Sequence, residues 1–229
     1  MIPLVLIPGM MCDARMWGGL PVTLFPREVC QVLPVDADSV EALATTILKT
    51  APARFALAGL SMGGIVAMEV LRQAPDRVIR LALLDTNPLH ETAEMQARRL
   101  PQMAKVQAGG LAEVMRDEMK PNYLTPGPGQ PAILDLCMDM ALALGPAVFL
   151  SQSRALANRS DQQETLKAFK GPALVLMGED DRLCPRPCHD LMHHLMPQSR
   201  LVIIKGAAHL PPLEQPTQTT AALQSWLDE

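Results

Sequence analysis

The sequence predicts an α/β protein: a mostly parallel sheet of about six strands, helices on both faces, and a helical insertion near the middle of the chain. Three observations carry this. Short, continuously apolar runs recur along the chain, and strands buried on both faces read that way because helices cover each side of a parallel sheet. Segments with helical spacing separate these runs, the alternation expected of β-α-β units. Between about Asn87 and Ser160 the alternation stops, and methionine-rich helical stretches surround the breaker-rich segment Pro121 to Pro131. The 229 residues are enough for one compact body with a substantial core.

The strand candidates, in order, are Ile2 to Ile7, Glu28 to Leu33, Arg54 to Ala58, Val78 to Leu84, Pro172 to Met177 and Arg200 to Ile204. Helices are expected over Ser39 to Thr50, Gly63 to Gln73, Pro187 to Met196 and Thr217 to Leu227, with Ser39 as an N-cap two residues before Glu41. The expected organisation is a core of residues 1–86 and 161–229, with residues 87–160 as a helical lid. Excursions from the carboxyl edge of such a sheet sit where ligands bind, so the insertion is expected to shape a binding site.

Composition narrows the function classes. A formal charge of −4 and pI near 5.7 offer no broad basic surface for phosphates, so nucleic acid is not an expected partner. The apolar run Ile2 to Met11 contains Pro3, Pro8 and Gly9 and lacks a basic n-region, so it reads poorly as a signal peptide. No later window is expected to reach the roughly 20 apolar residues of a membrane span, since charges or prolines interrupt each one. Cys12, Cys30, Cys137, Cys184 and Cys188 are odd in number and scattered, which predicts reduced thiols and a cytoplasmic setting.

Gly59-Leu60-Ser61-Met62-Gly63 follows the apolar strand Phe55-Ala56-Leu57-Ala58 and opens a helical stretch. That context marks a G-x-S-x-G turn, in which small flanking residues let backbones approach while the serine oxygen projects above the sheet. A serine hydroxyl is a weak nucleophile at neutral pH and requires a general base, normally a histidine oriented by an acid. Of five histidines, His209 lies in the loop Gly206-Ala207-Ala208-His209, after a strand and before the last helix, at the same edge as Ser61. His90 falls in the insertion, while His189, His193 and His194 share one helix, where a solvated face is expected. Gly178-Glu179-Asp180-Asp181 follows the strand ending at Met177, so both aspartates compete as the acid.

These segments, Gly59 to Gly64, Gly178-Glu179-Asp180-Asp181-Arg182 with Pro185, and Gly206 to Leu210 with Glu214 and Pro216, resemble the motifs of the α/β-hydrolase superfamily across nearly the whole chain. Within it the chain is most similar to small bacterial carboxylesterases of the pimeloyl-ester esterase and enol-lactonase type. The resemblance implies Asp181 as the acid, from a G-x-x-D-x-x-x-P pattern, with Asp180 as runner-up. It also implies an oxyanion hole from the backbone N–H groups of Met10 and Met62. The early loop Ile7-Pro8-Gly9-Met10-Met11 carries Pro8 where the family has histidine, and the family's first antiparallel strands are expected to be missing. The implied activity is hydrolysis of carboxylic esters of small, largely apolar substrates through an acyl-enzyme on Ser61, with no metal or organic cofactor. Enol-lactone opening, C–C hydrolysis, cofactor-free perhydrolysis and a non-catalytic ligand-binding role are the alternatives on the same residues.

Other features admit two readings. Cys184, Cys188, His189 and His193 have spacings that suit a metal, but Asp190 stands where a metalloprotease helix has glutamate, and a surface helix explains them as well. Arg154, Arg159 and Asp161, at the return of the insertion, either bind a substrate carboxylate or pin a hinge. Met11 and Trp17, beside the oxyanion loop, are candidates for the acyl pocket, against simple packing under the loop. The fifteen methionines fit an adaptable aliphatic pocket or ordinary core filling.

Overall fold

Six strands stand in the order β2-β1-β3-β4-β5-β6, every neighbouring pair parallel, in a computed structural model that describes residues 1–229. They are β1 (Leu4–Ile7), β2 (Val29–Gln31), β3 (Phe55–Leu60), β4 (Val78–Leu84), β5 (Ala173–Gly178) and β6 (Arg200–Ile204). The chain steps one way from β1 to β2 and then crosses back to build the rest of the sheet beyond β1. The order therefore reverses between β1 and β3, and the loops leaving those two strands diverge to leave a crevice at the carboxyl edge.

The expected strands are all present, and the differences have local causes. β1 starts after Pro3, which has no N–H to give the ladder, although its carbonyl accepts from Ala56 at 2.9 Å. β3 runs two residues past Ala58, because Gly59 and Leu60 keep pairing with Ile7, Leu83 and Leu84. A glycine there reads as a breaker in sequence, yet the ladder needs only its backbone.

The helices that flank the sheet are α1 (Val40–Thr50), α2 (Met62–Gln73), α3 (Ala93–Gln107), α4 (Gln130–Ala157), α5 (Gln163–Ala168), α6 (Arg186–Leu195) and α7 (Pro216–Asp228), joined by several shorter turns. Ser39 caps α1, its side chain accepting from Ala42 N–H at 3.2 Å. Strand residues alternate between two apolar layers. Val5, Ile7, Phe55 and Leu57 join α1, α2 and α6 on one face, while Leu4, Leu6, Ala56 and Ala58 join α7 through Leu223, Trp226 and Leu227 on the other.

Residues 87–160 contain helices and no strand, but they do not form a separate layer. Val106, Leu111, Met115, Phe149 and Leu156 belong to the first apolar cluster, and Tyr123, Cys137 and Met140 to the second. One sequence expectation is corrected here: α4 contains a window of 18 residues with mean hydropathy 1.8, long and apolar enough by composition to cross a membrane. Its continuity is broken at Gly145, whose φ of 80° and ψ of 175° are not helical, with Pro146 following. The two pieces on either side are each shorter than the roughly 20 residues a bilayer requires. All five cysteines are unpaired thiols.

Candidate active site

Ser61 stands between the end of β3 and the start of α2 with φ 54° and ψ −117°, a conformation L side chains rarely adopt and that costs about 1–3 kcal/mol. The surroundings hold it there. Its N–H donates to the Leu84 carbonyl at 2.9 Å, and its own carbonyl accepts from Thr86 Oγ1 at 2.8 Å and Gly64 N–H at 2.9 Å. The glycines on either side are sterically required, since a Cβ on Gly63 would lie 2.0 Å from the Ile7 carbonyl oxygen and one on Gly59 2.2 Å from that of Gly63. The turn thus presses α2 against the end of β1 and leaves the serine side chain at the edge of the sheet.

The carboxyl ends of β5 and β6 bring the second pair of groups together. Asp181 Oδ2 lies 3.0 Å from His209 Nδ1, and both side chains are almost wholly buried. Asp181 Oδ1 accepts from the N–H groups of Leu183 at 2.8 Å and Cys184 at 3.2 Å. Burial alone would raise this carboxyl, but the facing His209 ring and the two backbone donors outweigh it and hold it below the usual carboxylate range. An ionised Asp181 accepts from Nδ1–H and leaves Nε2 with its lone pair. Asp180 is exposed and gives only its N–H, to the Ala207 carbonyl.

Ser61 and His209 line one cavity of about 190 Å³, together with Met10, Met62, Leu60 and Tyr123. No hydrogen bond joins Ser61 Oγ to the imidazole, although both face the same cavity. Met10 N–H has no acceptor in the protein, and Met62 N–H opens α2, where no intrahelical carbonyl is within reach. The Met10 loop is set from behind: Gln152, fully buried on α4, accepts from Met11 N–H at 2.9 Å and donates to the Pro34 carbonyl at 3.0 Å.

Other sequence candidates lie elsewhere. Met11 is buried beneath the loop and Trp17 packs in the second apolar cluster, so neither lines the cavity; loop packing accounts for both. Arg154 is half-exposed on the outer side of α4, 3.5 Å from Asp38, and also does not line it. Arg159 does. The expectation of a solvated histidine face fails at His189, which is fully buried on α6 with both ring nitrogens unpartnered. Burial pulls its value down to about 4, so it is held neutral. Asp181, Cys184 and His209 approach closely enough to suggest a metal, but Asp181 and His209 spend their facing atoms on each other. Burial, then the neighbouring Asp181, pushes the Cys184 thiol well above the ordinary thiol range. That donor set fits a hydrogen-bonded pair better than a cation site.

Several residues at the site escaped sequence reasoning. Asp85 follows β4 as Asp181 follows β5, so an acid directly after a strand was the available signal. It is fully buried behind Asp181 and accepts from Gly178 N–H at 2.8 Å. Burial, then the Asp181 carboxylate, pushes its carboxyl well above the ordinary range, and its Oδ2 has no hydrogen-bond partner in the protein. Glu91 and Arg99, from the insertion, line the cavity with Arg159. Glu214 fastens the histidine loop, its Oε2 accepting from Ala208 N–H at 2.9 Å and Leu210 N–H at 3.1 Å while Oε1 accepts from Thr125 N–H at 2.8 Å. His209 N–H donates to the Tyr123 carbonyl at 2.9 Å, a second tie between that loop and the insertion.

A family profile described as the alpha/beta hydrolase family matches residues 4–223. The pimeloyl-[acyl-carrier protein] methyl ester esterase of Nitrosomonas europaea is 24% identical, the match covering 94% of this chain and 91% of that protein. The protein of the same name from Citrobacter koseri is 25% identical over 97% and 92%. Among solved structures, a thermophilic esterase from Thermogutta terrifontis with malate bound superposes with a TM-score of 0.89 at 29% identity, covering 100% of this chain and 90% of that one. The enol-lactonase from Burkholderia xenovorans shares the fold, with a TM-score of 0.87 at 21% identity over 100% and 92%.

Proposed function

The chain belongs to the alpha/beta hydrolase family, and from that premise we propose that it is a serine esterase that cleaves carboxylic esters of small, largely apolar substrates. The observation that carries the reading is the buried Asp181–His209 pair, 3.0 Å apart, opening onto the same cavity as the strained Ser61 turn. The esterase names of the curated relatives and of the Thermogutta protein support ester hydrolysis as the reaction.

In this reading Ser61 Oγ attacks the ester carbonyl carbon while His209 Nε2 takes the hydroxyl proton. The imidazolium that forms is stabilised by Asp181 through Nδ1–H. The carbonyl oxygen becomes an oxyanion and accepts from the N–H groups of Met10 and Met62, neither of which has a competing partner within the site. Collapse breaks the C–O bond, His209 returns its proton to the leaving alcohol, and an acyl-enzyme remains on Ser61. Water, deprotonated by His209, repeats the sequence and releases the acid.

The test is hydrolysis of 4-nitrophenyl esters from acetate to long acyl chains by wild-type protein and Ser61→Ala in parallel, with fluorophosphonate labelling followed by mass spectrometry. Turnover by the wild type, lost by about a thousandfold or more in Ser61→Ala, together with a label on Ser61, is the expected result. A folded wild type that hydrolyses none of the esters and takes no label rejects the reading.

A further inference from the structure

The cavity that Ser61 opens into is mostly apolar, and three charged side chains from the insertion and its return meet in its lining. Glu91 is fully buried and receives two guanidinium groups. Arg99 Nε lies 2.9 Å from both Glu91 oxygens, and Arg99 Nη2 also donates to Oε1. Arg159 Nη1 donates to Oε1 at 3.0 Å, while its Nε donates to the Leu89 carbonyl at 2.8 Å. One carboxylate thus faces two cations, and all three residues line the cavity. His209 is the only other basic side chain lining it, and no second carboxylate does.

Charge and donors are both left over. Arg99 Nη1 has only the Met10 sulfur, 4.0 Å away, as a contact, and Arg159 Nη2 has no acceptor at all. Arg159 is 5% exposed overall, and its unused Nη2 is not among the enclosed polar atoms, so it stays open to an incoming acceptor. Burial pulls the Arg159 guanidinium below its usual value against the opposing pull of Glu91, but a guanidinium is so strong a base that it stays charged. A single buried carboxylate neutralises one such group; leaving a second cation with unused donors in an apolar cavity is costly unless an anion completes the set.

Building on the esterase reading, we propose that this part of the cavity is an anion subsite formed by Arg99 and Arg159, and that the preferred substrates are esters bearing a carboxylate, such as half-esters of dicarboxylic acids. Glu91 orients both guanidinium groups and sets the net charge at one positive, which suits one carboxylate. Arg99 touches Met10, so the subsite adjoins the proposed oxyanion donors, and a bound carboxylate fixes the ester relative to Ser61.

The test compares half-esters of succinate, adipate and suberate with 4-nitrophenol against the neutral 4-nitrophenyl esters of equal chain length. Arg99→Gln is the informative variant, because it leaves Glu91 paired with Arg159 and cancels the surplus charge. The ratio of kcat/KM for the charged over the neutral ester is expected to fall roughly tenfold to a hundredfold in Arg99→Gln, the range of one charged hydrogen bond, and to recover in part in Arg99→Lys. A ratio unchanged at every chain length overturns the proposal. Calorimetric titration with adipate gives a readout independent of turnover. If neither ester series is hydrolysed, the esterase reading fails, yet adipate binding weakened by Arg99→Gln still supports the subsite; adipate binding that is absent, or equal in both proteins, overturns it.

Discussion

The carboxyl edge of the sheet and the helical insertion contribute to the same cavity in opposite ways. The edge supplies Ser61, Asp181 and His209, each placed by a strand end whose position follows from backbone pairing. The insertion supplies Glu91, Arg99 and Tyr123; Glu91 pairs with Arg99 eight residues on and with Arg159 beyond α4, and the Tyr123 carbonyl accepts from His209 N–H. On the proposed reading the reactive groups sit where strand pairing places them, and the groups proposed to select a substrate sit where individual side-chain contacts do.

Substitutions that test this division should differ in kind as well as size. Asp181→Asn is expected to lower kcat by about four orders of magnitude, because an amide imposes the wrong imidazole tautomer, while Asp180→Asn stays within a factor of about three, since Asp180 faces solvent. Steady-state kinetics on one ester decides it, and equal losses would break the assignment. Gly63→Ala acts on the frame that carries the serine. With a Cβ 2.0 Å from the Ile7 carbonyl, it should destabilise the fold by about 3 kcal/mol or more, seen as a lowered urea midpoint.

His189 tests the frame through pH. Its folded value of about 4 lies below the unfolded value near 6.5, so the unfolded chain takes up a proton first as pH falls. Stability is then lost between about pH 6.5 and 4, by up to about 3 kcal/mol. Asp85 works with the opposite sign, its raised value favouring the folded state at low pH and giving that up as pH rises. Urea titrations of wild type and His189→Leu across this range separate the two: the variant should show a flatter loss toward acid, and an unchanged slope would exclude His189 as its source. A smaller loss of stability is expected for Gln152→Leu, which strands Met11 N–H and the Pro34 carbonyl. It should cost about 2 kcal/mol and lower kcat on neutral and charged esters alike, whereas loss of only the charged preference would point to the insertion's arginines instead.

What could be read in advance divides along the same line. Strand positions, the elbow around Ser61 and the loop around His209 are legible because each follows from a period or a motif within a few residues. Asp181 could be separated from Asp180 only by resemblance, as both follow the same strand; the structure separates them by which carboxyl turns inward to the imidazole. Glu91 and Arg99 carry no local signal, because a charged residue on a helix reads as solvated until its partner is known. His189 illustrates the converse, a polar residue in an amphipathic helix whose buried face happens to include it. Arg154 lies in the last turn of α4 and turns outward to Asp38, whereas Arg159 lies past the helix end, where the chain leaves the helical path and reaches Glu91.

The Glu214 carboxylate has a consequence for how substrate gets in. It holds N–H donors of the histidine loop on one oxygen and the Thr125 segment on the other, and His209 itself donates to Tyr123. A hinged flap that swung the Thr125 segment outward would strip these bonds and release the base from its alignment at the same moment. On the proposed mechanism, opening that side and aligning the imidazole are tied to the same bonds. Met95 and Leu183, which also line the cavity, have partly exposed side chains that can change rotamer without breaking any of these bonds.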